Sequence, residues 1–192
     1  MELTKIEPLA RGKWLSLHRI HYRRVPGGKE RSWEIATRNP EPKCAGGKFA
    51  DPDVVIIIPF HTGHGRLVLI REFRPILAGD HYGFPAGLVD AGETVEAAVA
   101  RELREETGLV LTRILRRSPP IYSSAGMTDE SSALVYVECE GEPTDAEPHD
   151  GEMIEVLFVS PDEAGALCAD PNLKFDAKAW LVAAHFAATG QV

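Results

Sequence analysis

GLVDAGETVEAAVARELREETGL, residues 87–109, passes from a glycine-punctuated loop into a helix. Gly87 and Gly92 supply backbone freedom that a side chain would deny. The helix is expected to start at about Glu93 or Thr94 and to stop at Gly108, where a left-handed C-cap belongs. On a helical projection Val95, Val99 and Leu103 form one stripe that faces a core. Glu102, Glu105 and Glu106, at i, i+3 and i+4, share a face beside that stripe. Like charges at this spacing repel by roughly 0.2–0.5 kcal/mol per pair in an isolated helix. Arg101 and Arg104 relieve part of that, and an arbitrary acidic helix reads first as a solvated, salt-bridged face. Here the carboxylates crowd toward the apolar edge directly after a glycine loop, which favours a site for hard cations. Mg²⁺ takes oxygen ligands and often sits between protein carboxylates and phosphates.

The spacing is glycine, five residues, glutamate, seven residues, then Arg-Glu-apolar-any-Glu-Glu-any-Gly-apolar. It resembles the signature of the Nudix hydrolases. Gly87, Glu93, Arg101, Glu102, Leu103, Glu105, Glu106, Gly108 and Leu109 fill its fixed places. The resemblance implies an α/β/α sandwich around a mixed sheet, and hydrolysis of a nucleoside diphosphate linked to some other group.

A length of 192 residues suits one domain with a small appendage. The division expected is an N-terminal β-hairpin region over 1–50 and the signature domain over 51–192. The net charge of −8 argues against a nucleic-acid-binding surface. An anionic nucleotide would therefore need local arginines or lysines and metal ions. The opening MELTKIEPLARGKW has charges and no apolar h-region, so it does not read as a secretory signal. The longest aliphatic run, Val54 to Ile58, is too short to span a bilayer. Cys44, Cys139 and Cys168 are odd in number and far apart, which suits free thiols in a reducing cytoplasm.

Taken in order, Trp14 to Arg24 and Lys29 to Arg38 read as two strands around Pro26-Gly27-Gly28. The second strand puts Trp33, Ile35 and Thr37 on one face. Asn39 to Asp53, rich in Pro, Gly and Lys, reads as a linker. Val54 to Phe60 reads as a central strand covered on both faces. His61 and His64 then fall in a turn and read as turn or surface residues. Arg66 to Arg74 is the next strand, and Pro75 to Gly83 a loop. Beyond the signature, strands are expected at Val110 to Arg116, Ile121 to Tyr122, Ser131 to Cys139 and Met153 to Ser160. Glu140 to Glu152 reads as an acidic loop. A short helix opens at Pro161. A last helix runs from about Asp176 to Ala188, with Trp180, Val182, Ala183 and Phe186 on buried faces.

Features outside the signature resemble the ADP-ribose pyrophosphatase branch of the family. They are the N-terminal hairpin itself, Gly12-Lys13-Trp14, Arg31-Ser32-Trp33-Glu34, Phe73-Arg74-Pro75 and Phe84-Pro85-Ala86-Gly87. The resemblance implies a homodimer with exchanged N-terminal hairpins, in which Trp14 and Trp33 from different subunits sandwich the adenine. The residues alone also allow both tryptophans to pack into the hairpin core. A lone two-stranded hairpin is marginal in water and must pack on something, and the Asn39–Asp53 stretch is long enough to let that be another chain. Arg38 and Arg74 match arginines that hold the diphosphate or terminal ribose, though each also suits a surface salt bridge. One departure stands out. The branch commonly carries a proline about sixteen residues beyond the signature's last glycine, where this chain has Ser124.

For the chemistry, the resemblance assigns Mg²⁺, or Mn²⁺ in its place, to the Ala86 carbonyl, Glu102 and Glu106. Glu105 would add a bridging oxygen or one behind the direct ligands. Glu93 and Arg101 would hold the loop against the helix through an ion pair. The general base would be a glutamate on the loop before the penultimate strand, where Glu152 stands, with Glu105 as the other candidate. The substrate implied is ADP-ribose or a related nucleoside diphosphate sugar. The alternatives are another such sugar, GDP-mannose among them, or a module that binds without cleaving. A non-cleaving module is expected to have lost metal-binding glutamates, and this chain keeps them all.

Overall fold

Alternation along one strand decides the larger part of the fold. In β4, Val54–His61, Val55 and Ile57 enter one buried cluster while Ile56 and Ile58 enter another, as successive side chains on a strand must. The structure is a computed structural model that describes residues 1–47, 49–144 and 154–192. It divides into two compact units, Met1–Asp53 with Pro120–Ser132, and Val54–Pro119 with Ala133–Val192.

In the second unit β4 lies between β5 (Arg66–Arg74) and β10 (Ser131–Glu140), in the order β11-β5-β4-β10-β8. Here β8 is Val110–Arg117 and β11 is Ile154–Val159. β10 lines up parallel to β4, Asp53 N–H meeting the Ser131 carbonyl and Thr62 N–H that of Cys139. β5 runs antiparallel to both its neighbours, so the sheet is mixed. Helix α2 (Val95–Thr107) supplies Ala98, Val99 and Leu103 to the cluster on one face. Helices α3 (Pro161–Ala169) and α4 (Ala177–Thr189) supply Ala164, Ala179, Val182, Ala183 and Phe186 to the cluster on the other. This is the α/β/α sandwich that the resemblance implies.

Two short strands occupy what reads as loop in the sequence. β6 (Gly79–Gly83) pairs with β5, and β7 (Ala86–Leu88) pairs with β4. Both are rich in glycine, which carries little strand propensity; neighbouring strands recruit them. Trp180 is a second correction. It is 43 % exposed, and Ala179 takes the inward position beside Val182 and Ala183. His61 is a third. It is buried, with Nδ1 accepting from the His64 N–H at 3.1 Å and Nε2 2.9 Å from the Gly141 carbonyl. It ties the turn after β4 to the end of β10.

The first unit holds three antiparallel strands, β1 (Glu2–Arg11), β2 (Ser16–Arg23) and β3 (Arg31–Thr37), in that order. Sequence reading finds a two-stranded hairpin and misses β1. The cause is physical: β1 is an edge strand, mostly exposed, with two register irregularities and a proline, so its apolar alternation is blurred. A third strand removes the argument that a lone hairpin must find support elsewhere. Trp33, Ile35 and Thr37 do share one face, opposite Ile20, His18 and Ser16. Trp14 lies on no strand but in the turn between β1 and β2. The Asn39–Asp53 stretch is more than a linker. It contains the single-turn helix α1 (Lys43–Gly46), and buried Lys43 reaches Asp53 at 2.6 Å and the Ser131 hydroxyl at 2.7 Å. β9 (Ile121–Tyr122) pairs with the first residues of β10.

Candidate active site

The signature stretch folds around a single arginine. Arg101, near the middle of α2, donates Nε to Glu93 Oε1 at 3.0 Å and Nη2 to Glu93 Oε2 at 2.9 Å. Its Nη2 also reaches the Leu88 carbonyl at 3.0 Å, and Nη1 reaches Glu102 at 2.6 Å and Glu105 at 3.3 Å. One guanidinium thus holds the loop, the helix start and two helix glutamates together. Its bonds to Glu93 pull that carboxyl down to a pKa of about 2, aided by the Asp90 N–H, and raise the arginine's own.

Gly87 serves space rather than freedom. Its φ is not positive, and a Cβ there would run into the Glu102 carboxylate. The absent side chain lets Glu102 lie against the backbone of β7. On the next turn Glu106 Oε2 accepts the Ala86 N–H at 3.1 Å. Thr94 caps α2 through a bond from Ala97 N–H at 3.2 Å, and Gly108 ends it in the left-handed conformation.

The electrostatics are those of a site short of positive charge. Burial pushes Glu106 up to about 8, and the charges of Glu102 and Glu72 add to the shift. The Ala86 N–H and Arg74 oppose it. Glu102 is also raised, by burial first, against the pull of Arg101. Two crowded carboxylates with raised pKa values beside a strand backbone form a donor set suited to a hard divalent cation. As the side chains stand, no three His, Cys, Asp or Glu side chains among the described residues gather as a metal ion needs. Arg101 and the Ala86 N–H hold these oxygens instead.

Arg74 ends β5, its Nη2 2.5 Å from Glu72 Oε1. Sequence reading passed over Glu72, which is buried. The available signal was its i, i+2 spacing from Arg74, which puts both on one strand face. In the first unit, Trp14 is 70 % and Trp33 51 % exposed, so neither packs into the sheet's core. Lys13 Nζ lies 4.5 Å over the Trp14 ring. The Trp33 indole N–H is held by the Gly126 carbonyl at 2.9 Å, and Arg38 pairs with Glu130 at 2.5 Å. Glu152 lies outside the described residues.

Residues 51–182 match the NUDIX domain model. The chain belongs to the Nudix hydrolase family. It is 33 % identical to an ADP-ribose pyrophosphatase of Saccharomyces cerevisiae over 95 % of this chain and 81 % of that protein. An ADP-sugar pyrophosphatase of Mus musculus is 32 % identical over 93 % of this chain and 84 % of its own length. In structure the Nudix chain is similar to an ADP compounds hydrolase, with a TM-score of 0.72, 22 % identity, and coverage of 100 % of this chain and 96 % of that one. That likeness is one of fold. Among the described residues of this Nudix hydrolase, no helix is long and apolar enough to cross a membrane.

Proposed function

We propose that this Nudix hydrolase cleaves the diphosphate of ADP-ribose or a related nucleoside diphosphate sugar, giving a nucleoside monophosphate and a sugar phosphate. The observation that carries the reading is the packing of Glu102 and Glu106 against Ala86 and Gly87, under-compensated in charge. The near full-length likeness to pyrophosphatases of ADP-ribose and ADP-sugars supports the substrate class.

Glu102, Glu106 and the Ala86 carbonyl would hold Mg²⁺ or Mn²⁺, with Glu105 beside them. When bound, such an ion neutralises the diphosphate and lowers the pKa of water. The chain's own residues do the rest. Arg101 spaces Glu93, Glu102 and Glu105 and keeps the β7 end against α2. The Ala86 N–H orients one oxygen of Glu106. Arg74 offers charge to the diphosphate, and Arg38 is the other arginine read for that role. Glu152, placed by its sequence neighbourhood, takes the proton of the attacking water. Trp14 and Trp33 stack the base from two subunits of a homodimer; their exposure in the single chain supports this. Ser124, where a proline is common, favours keeping other nucleoside diphosphate sugars as a second reading.

The test is phosphate release from a panel of nucleoside diphosphate sugars, coupled to a phosphatase. ADP-ribose should yield AMP and ribose 5-phosphate, and turnover should need a divalent cation. Glu106→Gln should lower kcat by at least ~10²-fold, a loss of roughly 3 kcal/mol of transition-state stabilisation, with its circular dichroism unchanged. Near-normal turnover in that variant would sink the assignment.

A further inference from the structure

One buried charge in the second unit stands outside the scheme above. Glu72 is 5 % exposed, and a carboxylate so placed persists in charged form only with a partner. Among the described residues, Arg74 and His81 flank it as positive partners. His81, directly across the β5–β6 pair, has Nδ1 at 3.8 Å, but burial first and then the Arg74 charge lower its pKa. Arg74 is the stronger partner, at 2.5 Å from the same carboxylate oxygen. The two residues alternate by two on β5 and so share one face. Glu72 also works against Glu106 electrostatically, so a neutral residue would suit the carboxylate cluster better. The Glu72 carboxylate nevertheless holds Arg74 at contact distance on its buried side.

A guanidinium is a planar fork of five N–H donors. The Arg74 side chain is 45 % exposed, so an anchor on Nη2 sets its plane while other donors stay open to a planar, bidentate acceptor such as a phosphate. We propose that Glu72 is a positioning residue, which clamps Arg74 from its buried side so that the guanidinium meets the substrate's diphosphate already oriented. The rotamer freedom that an unrestrained arginine would lose on binding is then lost during folding instead. This inference rests on the reading that Arg74 binds the diphosphate.

Steady-state hydrolysis of ADP-ribose by the full chain tests it, with Glu72→Ala, Glu72→Gln, Arg74→Gln and the Glu72→Ala/Arg74→Gln pair. Glu72→Ala should raise KM about tenfold while kcat stays within about threefold. Glu72→Gln keeps a carbonyl acceptor for Nη2 and should recover most of that loss. In the Arg74→Gln background Glu72→Ala should add nothing, because neighbours acting through one contact are not additive. Should Glu72→Ala not fold, Glu72→Met, of similar volume and without the acceptor, replaces it. The inference is overturned if Arg74→Gln raises KM but the Glu72 change does not. It is equally overturned if the two effects multiply, or if Glu72→Ala lowers the melting temperature with KM unchanged. If Arg74→Gln itself leaves KM untouched, the reading of Arg74 as a diphosphate ligand fails first and takes this inference with it.

Discussion

Glu106 shows how far one carboxylate can be bent by its surroundings. Its folded pKa of about 8 lies above the ordinary value of 4.5, so the folded protein holds this proton more tightly than the unfolded chain. Stability from this group is therefore untouched below about pH 4.5 and is lost progressively as pH rises toward 8. Glu102 pushes in the same direction. Glu93 acts in another window: its depressed pKa stabilises the fold above 4.5 and ceases to do so as pH falls toward 2. At about 1.4 kcal/mol per unit, partial exposure leaves Glu106 with a few kcal/mol at most. The metal-free protein should accordingly melt at lower temperature at pH 8 than at pH 5.5. Adding Mg²⁺ should restore the stability lost at pH 8, and Glu106→Gln should flatten the pH difference. A melting temperature that rises over that interval in metal-free buffer would contradict the account.

The signature helix is bounded by glycines that are needed for unlike reasons. Gly92 has φ 84° and nothing near where a Cβ would stand, so alanine there meets only the left-handed penalty of about 1–2 kcal/mol. Gly108, with φ 75°, carries the same penalty, and its Cβ would also meet Thr144, whose backbone nitrogen lies 2.6 Å away. Gly108→Ala should therefore destabilise by clearly more than Gly92→Ala, read as the shift in urea midpoint at constant slope. Equal shifts would mean that Thr144 moves aside freely. A single helix thus draws on local conformation at one end and on the chain that leaves β10 at the other.

For the molecule as a whole the open quantity is assembly. With β1 in place the first unit has three strands rather than two, so a second copy is not required to hold the hairpin. What favours a dimer is the exposure of Trp14 and Trp33 together, and base–aromatic stacking is worth ~1–3 kcal/mol per base. Trp33→Ala should raise KM for ADP-ribose about tenfold or more. If the two rings of one pocket come from different subunits, one serves the carboxylates of the other chain. Mixing Glu106→Gln chains with Trp14→Ala or with Trp33→Ala should then restore activity in one pairing and not in the other. A fully active monomer by light scattering ends the idea.

Much of this was legible in sequence because it is local. The periods of 3.6 and 2 placed α2, β4 and β5 to within a residue or two, since burial on one or both faces leaves a repeating pattern that neighbours cannot erase. The crowding of Glu102 and Glu106 is likewise a property of helical spacing. The remainder depended on residues distant in the chain. β6 and β7 are strands only because β5 and β4 offer open hydrogen-bonding edges, and no glycine-rich segment announces that. That Gly87 is needed for room rather than for φ follows from where Glu102 arrives, fifteen residues later. Burial of His61, Lys43 and Glu72 was hidden for the same reason: sequence shows a charge or a ring, and the fold supplies the Gly141 carbonyl, Asp53 with Ser131, and Arg74 that make such burial affordable. Spacing along the chain determined which groups share a face; only tertiary packing decided which of them are removed from water, and hence which carry displaced charge.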